Sequence, residues 1–225
     1  MSLAAKQPMR DEAINRRFVL ECSSAGHADA ADGLMIALHG READQNQVLP
    51  FASALGDYHV VAPRSARWAG LNAFGCFNWF SSMEPPVVEP IGFGDGLCQL
   101  ELLMLERTDA SERPCTLLGY DQGAVMSLML AALWPERVKG IIAINGFWPR
   151  VHGWSLPDRE MALPVLMIND RPAEDAATEL RRRGARVTQA HAEVDWREHD
   201  VIVKNWLAQT ALVEGWEAVP CDALA

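Results

Sequence analysis

The chain has 225 residues, of which 49% are hydrophobic, so we expect a single domain over residues 1–225 with a core at about 18–208 and a C-terminal tail at 209–225. The formal net charge of −10 argues against nucleic acid or a membrane surface as a partner, because both recruit positive charge. Five cysteines without a C-x-x-C pair favour reduced thiols over disulfides or a zinc site. No signal peptide or transmembrane run is visible, so a cytoplasmic location is expected.

Short apolar runs alternate with helical patterns along most of the chain. Strands are predicted at about 18–22, 34–38, 59–62, 115–118, 141–144, 165–168 and 187–192, the first of them antiparallel. Helices are predicted at about 45–55 after an N-cap at Asp44, and at 95–106, 122–133, 173–183 and 195–207. This alternation predicts an α/β fold, with a mostly parallel central sheet and helices on both of its faces.

Residues 64–94 interrupt this alternation, because aromatic side chains are mixed there with glycine and proline. A long irregular loop of this composition is typical of a pocket wall, and we assign Trp79 and Phe80 to such a pocket. The alternative is that individual aromatics fill the core. Phe147 and Trp148 follow a predicted strand at the sheet edge where ligands bind, so they are pocket candidates as well.

The segment 119–123 reads Gly-Tyr-Asp-Gln-Gly, between a predicted strand and a predicted helix. It has the frame of the nucleophile elbow G-x-S-x-G, with Asp121 where serine is usual. Glycines are needed there because a strand that turns sharply into a helix crowds its neighbours. Aspartate is also a good N-cap, but serine would cap equally well, so capping does not explain the substitution.

The order of Leu38-His39-Gly40-Arg41, Val61-Ala62-Pro63, the elbow, Pro135-Glu136-Arg137 and Asn145-Gly146-Phe147 resembles the phospholipase/carboxylesterase family of α/β-hydrolases. The similarity runs from about residue 33 to 210. It implies an α/β-hydrolase fold without a cap domain, and hydrolysis of short acyl esters, thioesters or lysolipids by a Ser-Asp-His triad without a cofactor. It also implies an oxyanion hole built from the N–H groups of Arg41 and Gln122, beside His39, which is expected to shape that loop and line the site.

The chain departs from this family at each triad position. Asp121 replaces the serine, and Asp170 is the nearest carboxylate to the family's acid, with Glu174 and Asp175 behind it. The family's Gly-His pair is missing. His199 is the preferred histidine candidate and His191 the other, although His199 could also be a solvated residue of a first helical turn.

Three functions stay open at this stage. The first is a hydrolase that uses Asp121 as nucleophile or base on a small ester-like, haloalkane or epoxide substrate, because a carboxylate attacks sp3 carbon better than an ester carbonyl. The elbow resembles that of haloalkane dehalogenases and epoxide hydrolases, which also carry aspartate. The second function is non-hydrolytic acid–base chemistry, and the third is binding of a ligand or partner without catalysis. A small molecule is the expected partner, a homodimer is left open, and neither metal nor cofactor is expected.

Overall fold

The computed structural model describes residues 20–70, 75–81, 85–170, 174–192 and 196–213. The strands are β1 Cys22–Ala25, β2 Gly33–Leu38, β3 Tyr58–Pro63, β4 Val87–Val88, β5 Cys115–Tyr120, β6 Val138–Ile144, β7 Arg150–Val151, β8 Pro164–Asn169 and β9 Arg186–His191. The α-helices are α1 Leu49–Ser53, α2 Pro90–Ser111, α3 Gln122–Leu133, α4 Glu174–Arg182 and α5 Trp196–Val213. Single 3-10 turns lie at Gln45–Gln47 and Pro135–Arg137.

Seven strands form the central sheet in the order β1-β3-β2-β5-β6-β8-β9. All neighbouring pairs are parallel except β1 with β3, which confirms the predicted mostly parallel sheet and its antiparallel first strand. Because β3 and β5 lie on opposite sides of β2, the chain reverses its direction of travel across the sheet at β2. Open α/β sheets bind ligands at such a reversal, beside the carboxyl ends of the two strands that diverge, which here are β2 and β5.

Alternate residues of the central strands face two separate hydrophobic cores. Ile36 and Leu117 point to the core that includes side chains of α2, α3 and α4. Met35 and Leu118, one position away on the same strands, point to the core that includes side chains of α1 and α5. The continuous apolar runs of these strands are explained by this burial on both faces.

Several predicted element boundaries differ from the structure, among them the end of α2 at Ser111 instead of 106 and the start of β6 at Val138 instead of 141. Helix α2 begins at Pro90 instead of about 95, because the Glu89 carboxylate accepts hydrogen bonds from the N–H groups of Ile91 and Gly92 and caps the helix. Strand β1 begins at Cys22, so the predicted strand 18–22 is displaced, and residues 18–19 lie outside the described part of the chain. The helix predicted to end at 207 continues to Val213, while its predicted cap Asp195 is not among the described residues.

The predicted helix over 45–55 is divided into the 3-10 turn and α1 because Pro50 falls inside the segment. Asp44 caps the 3-10 turn as expected, since its Oδ1 accepts a hydrogen bond from Asn46 N–H at 2.9 Å. None of the helices in the described ranges is long and apolar enough to cross a membrane.

Candidate active site

Asp121 occupies a sharp turn between β5 and α3. Its backbone has φ 49° and ψ −113°, a conformation that costs a non-glycine residue free energy. Its N–H donates to Ile144 O at 2.8 Å, which fastens the turn to the neighbouring strand β6. Gly123 is required beside it, because a Cβ there would lie 2.2 Å from Leu38 O. Asp121 therefore lies at the apex of a tight strand-to-helix turn, and the function of this turn as a nucleophile elbow stays a prediction.

The carboxylate of Asp121 is bound on one oxygen by the turn that follows β2. Arg41 N–H donates a hydrogen bond to Asp121 Oδ2 at 3.0 Å, and Arg41 Nε lies 3.7 Å from the same oxygen. Among the described residues, none donates a hydrogen bond to Oδ1. The Arg41 N–H predicted as an oxyanion-hole donor thus has an oxygen of Asp121 in front of it. The two carboxylate oxygens are consequently different, since Oδ2 accepts a hydrogen bond and Oδ1 accepts none from the described residues.

The turn that carries Arg41 is fixed on both sides by hydrogen bonds from its backbone. Gly40 N–H donates to Gln47 Oε1 at 2.7 Å, and Glu42 N–H donates to Asn78 Oδ1 at 2.8 Å. A Cβ on Gly40 would lie 2.9 Å from Tyr120 Cδ1, so glycine is needed for this close approach. Within the described ranges Glu42 forms no ion pair with Arg41. The Arg41 N–H is therefore preorganised toward Asp121.

His39 supports this turn from beneath and is fully buried. Ser65 N–H donates to His39 Nε2 at 3.1 Å, so Nε2 must carry the lone pair. His39 Nδ1–H then donates to Gly40 O at 2.8 Å. Burial lowers the pKa of His39 below its usual value, although the Gly40 carbonyl opposes this shift. Both ring nitrogens are therefore engaged within the turn, which leaves neither placed to act as a base, and the predicted role of His39 in lining the site stays a prediction.

The Gln122 side chain ties the elbow to the aromatic loop. Its Oε1 accepts from Trp79 N–H at 2.9 Å and its Nε2 donates to Phe80 O at 2.9 Å. Trp79 and Phe80 are 1% and 0% exposed and belong to the core, while Trp79 Nε1–H donates to His39 O at 2.8 Å. These aromatics back the site, and their role as a ligand-contacting pocket wall stays a prediction. The role of Gln122 N–H as an oxyanion donor stays a prediction as well.

A line of polar groups joins the elbow to the end of β8. The Tyr120 hydroxyl is hydrogen-bonded to the side chain of Asn145, whose Oδ1 accepts from Asp170 N–H at 3.0 Å. Burial raises the pKa of Tyr120, and the negative charges of Asp121 and Asp170 add to the increase. Asp170 is exposed and follows the carboxyl end of β8, so it lies at the same edge of the sheet as Asp121. From the sequence, Tyr120 and Asn145 were noted only as parts of motifs and were given no role in the site, although their positions just before Asp121 and just after β6 were a usable signal.

Of the two remaining acid candidates, Asp175 is exposed to solvent, and the side chain of Glu174 is not among those described. The Asp175 carboxylate is 94% exposed and its Oδ2 lies 4.0 Å from Arg150 Nη2. Asp170 is therefore the predicted acid that the structure places at the carboxyl edge of the sheet.

The two histidine candidates have different surroundings. His191 ends β9 and is exposed, and its Nδ1–H donates to Asn169 O at 3.0 Å. Strands β5 and β9 are three strand spacings apart, roughly 14 Å, so we expect the His191 ring not to touch Asp121. His199 lies in the first turn of α5 and is 1% exposed, which makes it a buried residue and not a solvated one. Its role as the catalytic imidazole stays a prediction.

Phe147 and Trp148 follow β6 and pack against the core while remaining partly exposed. The Arg183 guanidinium lies 5.3 Å from the centre of the Trp148 ring, so this tryptophan contacts the residue that follows α4. Their predicted contact with a ligand is not tested by these packing contacts. The described residues contain no group of three or more His, Cys, Asp or Glu side chains that could hold a metal ion.

The chain matches no protein-family profile and no curated protein sequence. It is similar in structure to a carboxylesterase from Bacillus cereus, with a TM-score of 0.72 and 16% identity over 90% of this chain and 100% of the other. A carboxylesterase from Mesorhizobium loti gives 0.67 and 22% identity over 80% and 91% of the two chains. A phospholipase/carboxylesterase from Dyadobacter fermentans gives 0.67 and 16% over 84% and 96%. Together with the mostly parallel seven-stranded sheet and its flanking helices, these similarities show that the chain has the α/β-hydrolase fold, as predicted.

Proposed function

We propose that this protein is a hydrolase in which Asp121 attacks the sp3 carbon of a small haloalkane or epoxide. The observation that carries the proposal is the hydrogen bond from Arg41 N–H to Asp121 Oδ2 at 3.0 Å. It leaves Oδ1 as the oxygen that can reach a substrate. It also puts an oxyanion-type donor on the carboxylate itself, where an enzyme with an aspartate nucleophile needs it in the second half of the reaction.

The reaction proceeds in two steps. Asp121 Oδ1 forms a bond to the substrate carbon while the carbon–halogen bond breaks and halide leaves; with an epoxide, the ring carbon–oxygen bond breaks and the oxygen takes a proton from water. The product of this step is an alkyl ester of Asp121. Water then attacks Cγ and gives a proton to a base, charge develops on Oδ2, and the ester bond breaks to release the alcohol and restore the carboxylate.

Ordinary acyl transfer is a poorer fit to this site. A carboxylate that attacks an ester carbonyl would form an anhydride, which expels the carboxylate again readily. The carbonyl oxygen of such a substrate would also compete with Asp121 Oδ2 for the Arg41 N–H. The proteins of similar structure are named carboxylesterases, which supports hydrolysis as the broad class but gives no substrate for an aspartate elbow.

The water-activating base is assigned to His199, with Asp170 as the supporting acid. His39 is a poor candidate because both of its ring nitrogens are engaged in a buried site. His191 is a weaker candidate, because three strand spacings, roughly 14 Å, separate β9 from β5, although its Nδ1–H bond to Asn169 O leaves Nε2 as the basic nitrogen. His199→Gln and His191→Gln separate the two assignments, since of these two variants only the one that removes the base should accumulate alkyl-enzyme.

The test is turnover of short bromoalkanes, terminal epoxides and aryl esters by the wild type and by Asp121→Asn. Halide or diol release by the wild type and none by Asp121→Asn is expected, with Asp175→Asn as a control of equal charge change at an exposed carboxylate. Aryl-ester hydrolysis that persists in Asp121→Asn, without any halide or diol release by the wild type, would contradict the proposal.

The contact between Arg41 and Asp121 also favours a second candidate function. An elbow carboxylate that is already paired with a cation could bind a ligand through Oδ1 without reacting. This alternative predicts saturable binding of a small molecule, measured by calorimetry, that Asp121→Asn weakens while no product forms over long incubation.

A further inference from the structure

We propose that the Arg41 guanidinium is a catalytic group of the second half-reaction, in which it neutralises the charge that develops on Asp121 Oδ2. This inference rests on the proposed function. It assigns to the side chain of Arg41 a role separate from that of its backbone N–H.

The first observation is that backbone and side chain of the same residue address the same oxygen. Arg41 N–H lies 3.0 Å and Arg41 Nε 3.7 Å from Asp121 Oδ2. When water adds to Cγ and the base takes one of its protons, the carbon carries three oxygens: the alkylated one, the new hydroxyl, and the other carboxyl oxygen, on which a full negative charge collects. That oxygen is Oδ2, because Oδ1 carries the alkyl group.

The second observation concerns the strength of this interaction in the two steps. The Arg41 and Asp121 side chains are 45% and 25% exposed, so water weakens their attraction in the resting protein. In the resting carboxylate the charge is also shared between two oxygens. In the tetrahedral state it is concentrated on one, and a guanidinium that is always protonated then interacts more strongly. The interaction therefore helps the second step more than it helps the resting state.

The third observation is that the backbone of this turn is held in place without the Arg41 side chain. Gly40 and Glu42, on either side of Arg41, are held by hydrogen bonds to Gln47 and Asn78. The Arg41 side chain takes part in neither of these hydrogen bonds. Its replacement therefore removes the guanidinium while the backbone N–H stays on Oδ2.

Opposite effects on the two steps follow from this arrangement. Without the guanidinium, Asp121 loses a stabilising charge in the resting state, so the attack of Oδ1 on carbon keeps its rate or becomes faster. Hydrolysis of the alkyl ester becomes slower by about 10- to 100-fold, a loss equal to or smaller than that caused by removing one oxyanion-hole donor. The alkyl-enzyme, with the halide already released, should therefore accumulate.

The experiment is rapid-quench intact-protein mass spectrometry with bromobutane and epoxybutane, on the wild type, Arg41→Gln and Arg41→Lys. Arg150→Gln is the matched control, because it removes an equally charged but 73% exposed side chain outside the site. We expect the alkyl adduct to build up in Arg41→Gln, to build up less in Arg41→Lys, which keeps the charge, and to stay at the wild-type level in Arg150→Gln.

Three outcomes would count against this assignment. Equal ester-hydrolysis rates in the wild type and Arg41→Gln would overturn the role of Arg41 and leave the proposed function standing. Slower adduct formation with unchanged adduct hydrolysis would overturn it too, because the guanidinium would then act only in substrate binding or attack. Absence of both adduct and product in the wild type would overturn the proposed function and this inference together.

Discussion

The strained backbone of Asp121 gives a prediction that does not depend on any substrate. Its φ of 49° and ψ of −113° lie where a Cβ is disfavoured, at a cost of about 1–3 kcal/mol. Asp121→Ala and Asp121→Gly both remove the carboxylate and its contacts to Arg41, so they differ only in the Cβ. Glycine relieves the strain, but its freer unfolded chain offsets about 0.4–1 kcal/mol of the gain. We expect Asp121→Gly to be more stable than Asp121→Ala by about 1 kcal/mol.

The assay is urea unfolding followed by tryptophan fluorescence, with the pair Asp95→Ala and Asp95→Gly as the control. Asp95 is exposed inside α2, where glycine is worse than alanine by about 1 kcal/mol, so the order of stability should reverse there. If Asp121→Ala is as stable as Asp121→Gly or more so, the elbow stores no strain at this residue and the reasoning is refuted.

Three further predictions concern the residues around the elbow. Gln122→Ala should cost about 3 kcal/mol or more in urea unfolding, because Trp79 N–H and Phe80 O lose their partner inside the core, and a cost under about 1 kcal/mol would contradict the bridge. Gly123→Ala should prevent stable folding, since its Cβ would meet Leu38 O at 2.2 Å. Gly94→Ala is the control and should be stabilising, because a Cβ there has nothing within 4 Å. Thermal melts in which Gly123→Ala is the more stable of the two would refute the close approach. Because the pKa of His39 is lowered in the folded protein, the unfolded chain takes up the His39 proton at a higher pH than the folded chain does. The contribution of His39 to stability is therefore lost as the pH falls from about 6.5 to the folded-state pKa. The free energy of unfolding should thus fall less steeply in His39→Gln than in the wild type between pH 7 and 5, and equal slopes would contradict this.

Much of the fold followed from local pattern. Helix α3 has the predicted bounds, and β2 and β5 lie where their continuous apolar runs placed them, because burial on both faces leaves a strong signal. The start of α2 was missed because Gly92, Gly94 and Gly96 disfavour a helix by propensity. Glycine is needed at position 96 because of a tertiary contact, since a Cβ on Gly96 would lie 2.8 Å from Trp79 O.

The candidate site was predictable only in part. The apex position of Asp121 followed from the elbow frame, and Arg41 from the resemblance. That Arg41 N–H faces Asp121 Oδ2 depends on a contact across 80 positions of the chain, and no local pattern encodes it. The burial of Trp79 likewise depends on Gln122, 43 positions away. Local sequence therefore indicated which residues approach the site, and the pairing of their atoms needed the assembled sheet.

The central claim is that Asp121 becomes covalently bonded to substrate carbon. A single turnover of bromobutane in heavy-oxygen water, with enzyme in excess, tests it most directly. If water attacks Cγ of an alkyl ester, the heavy oxygen enters the Asp121 carboxylate, and the first butanol released carries the ordinary oxygen that was Oδ1. Peptide mass spectrometry should then find the label in the peptide that contains Asp121. Heavy oxygen in the butanol and none in that peptide would mean that water attacks the substrate directly, and the account would be wrong.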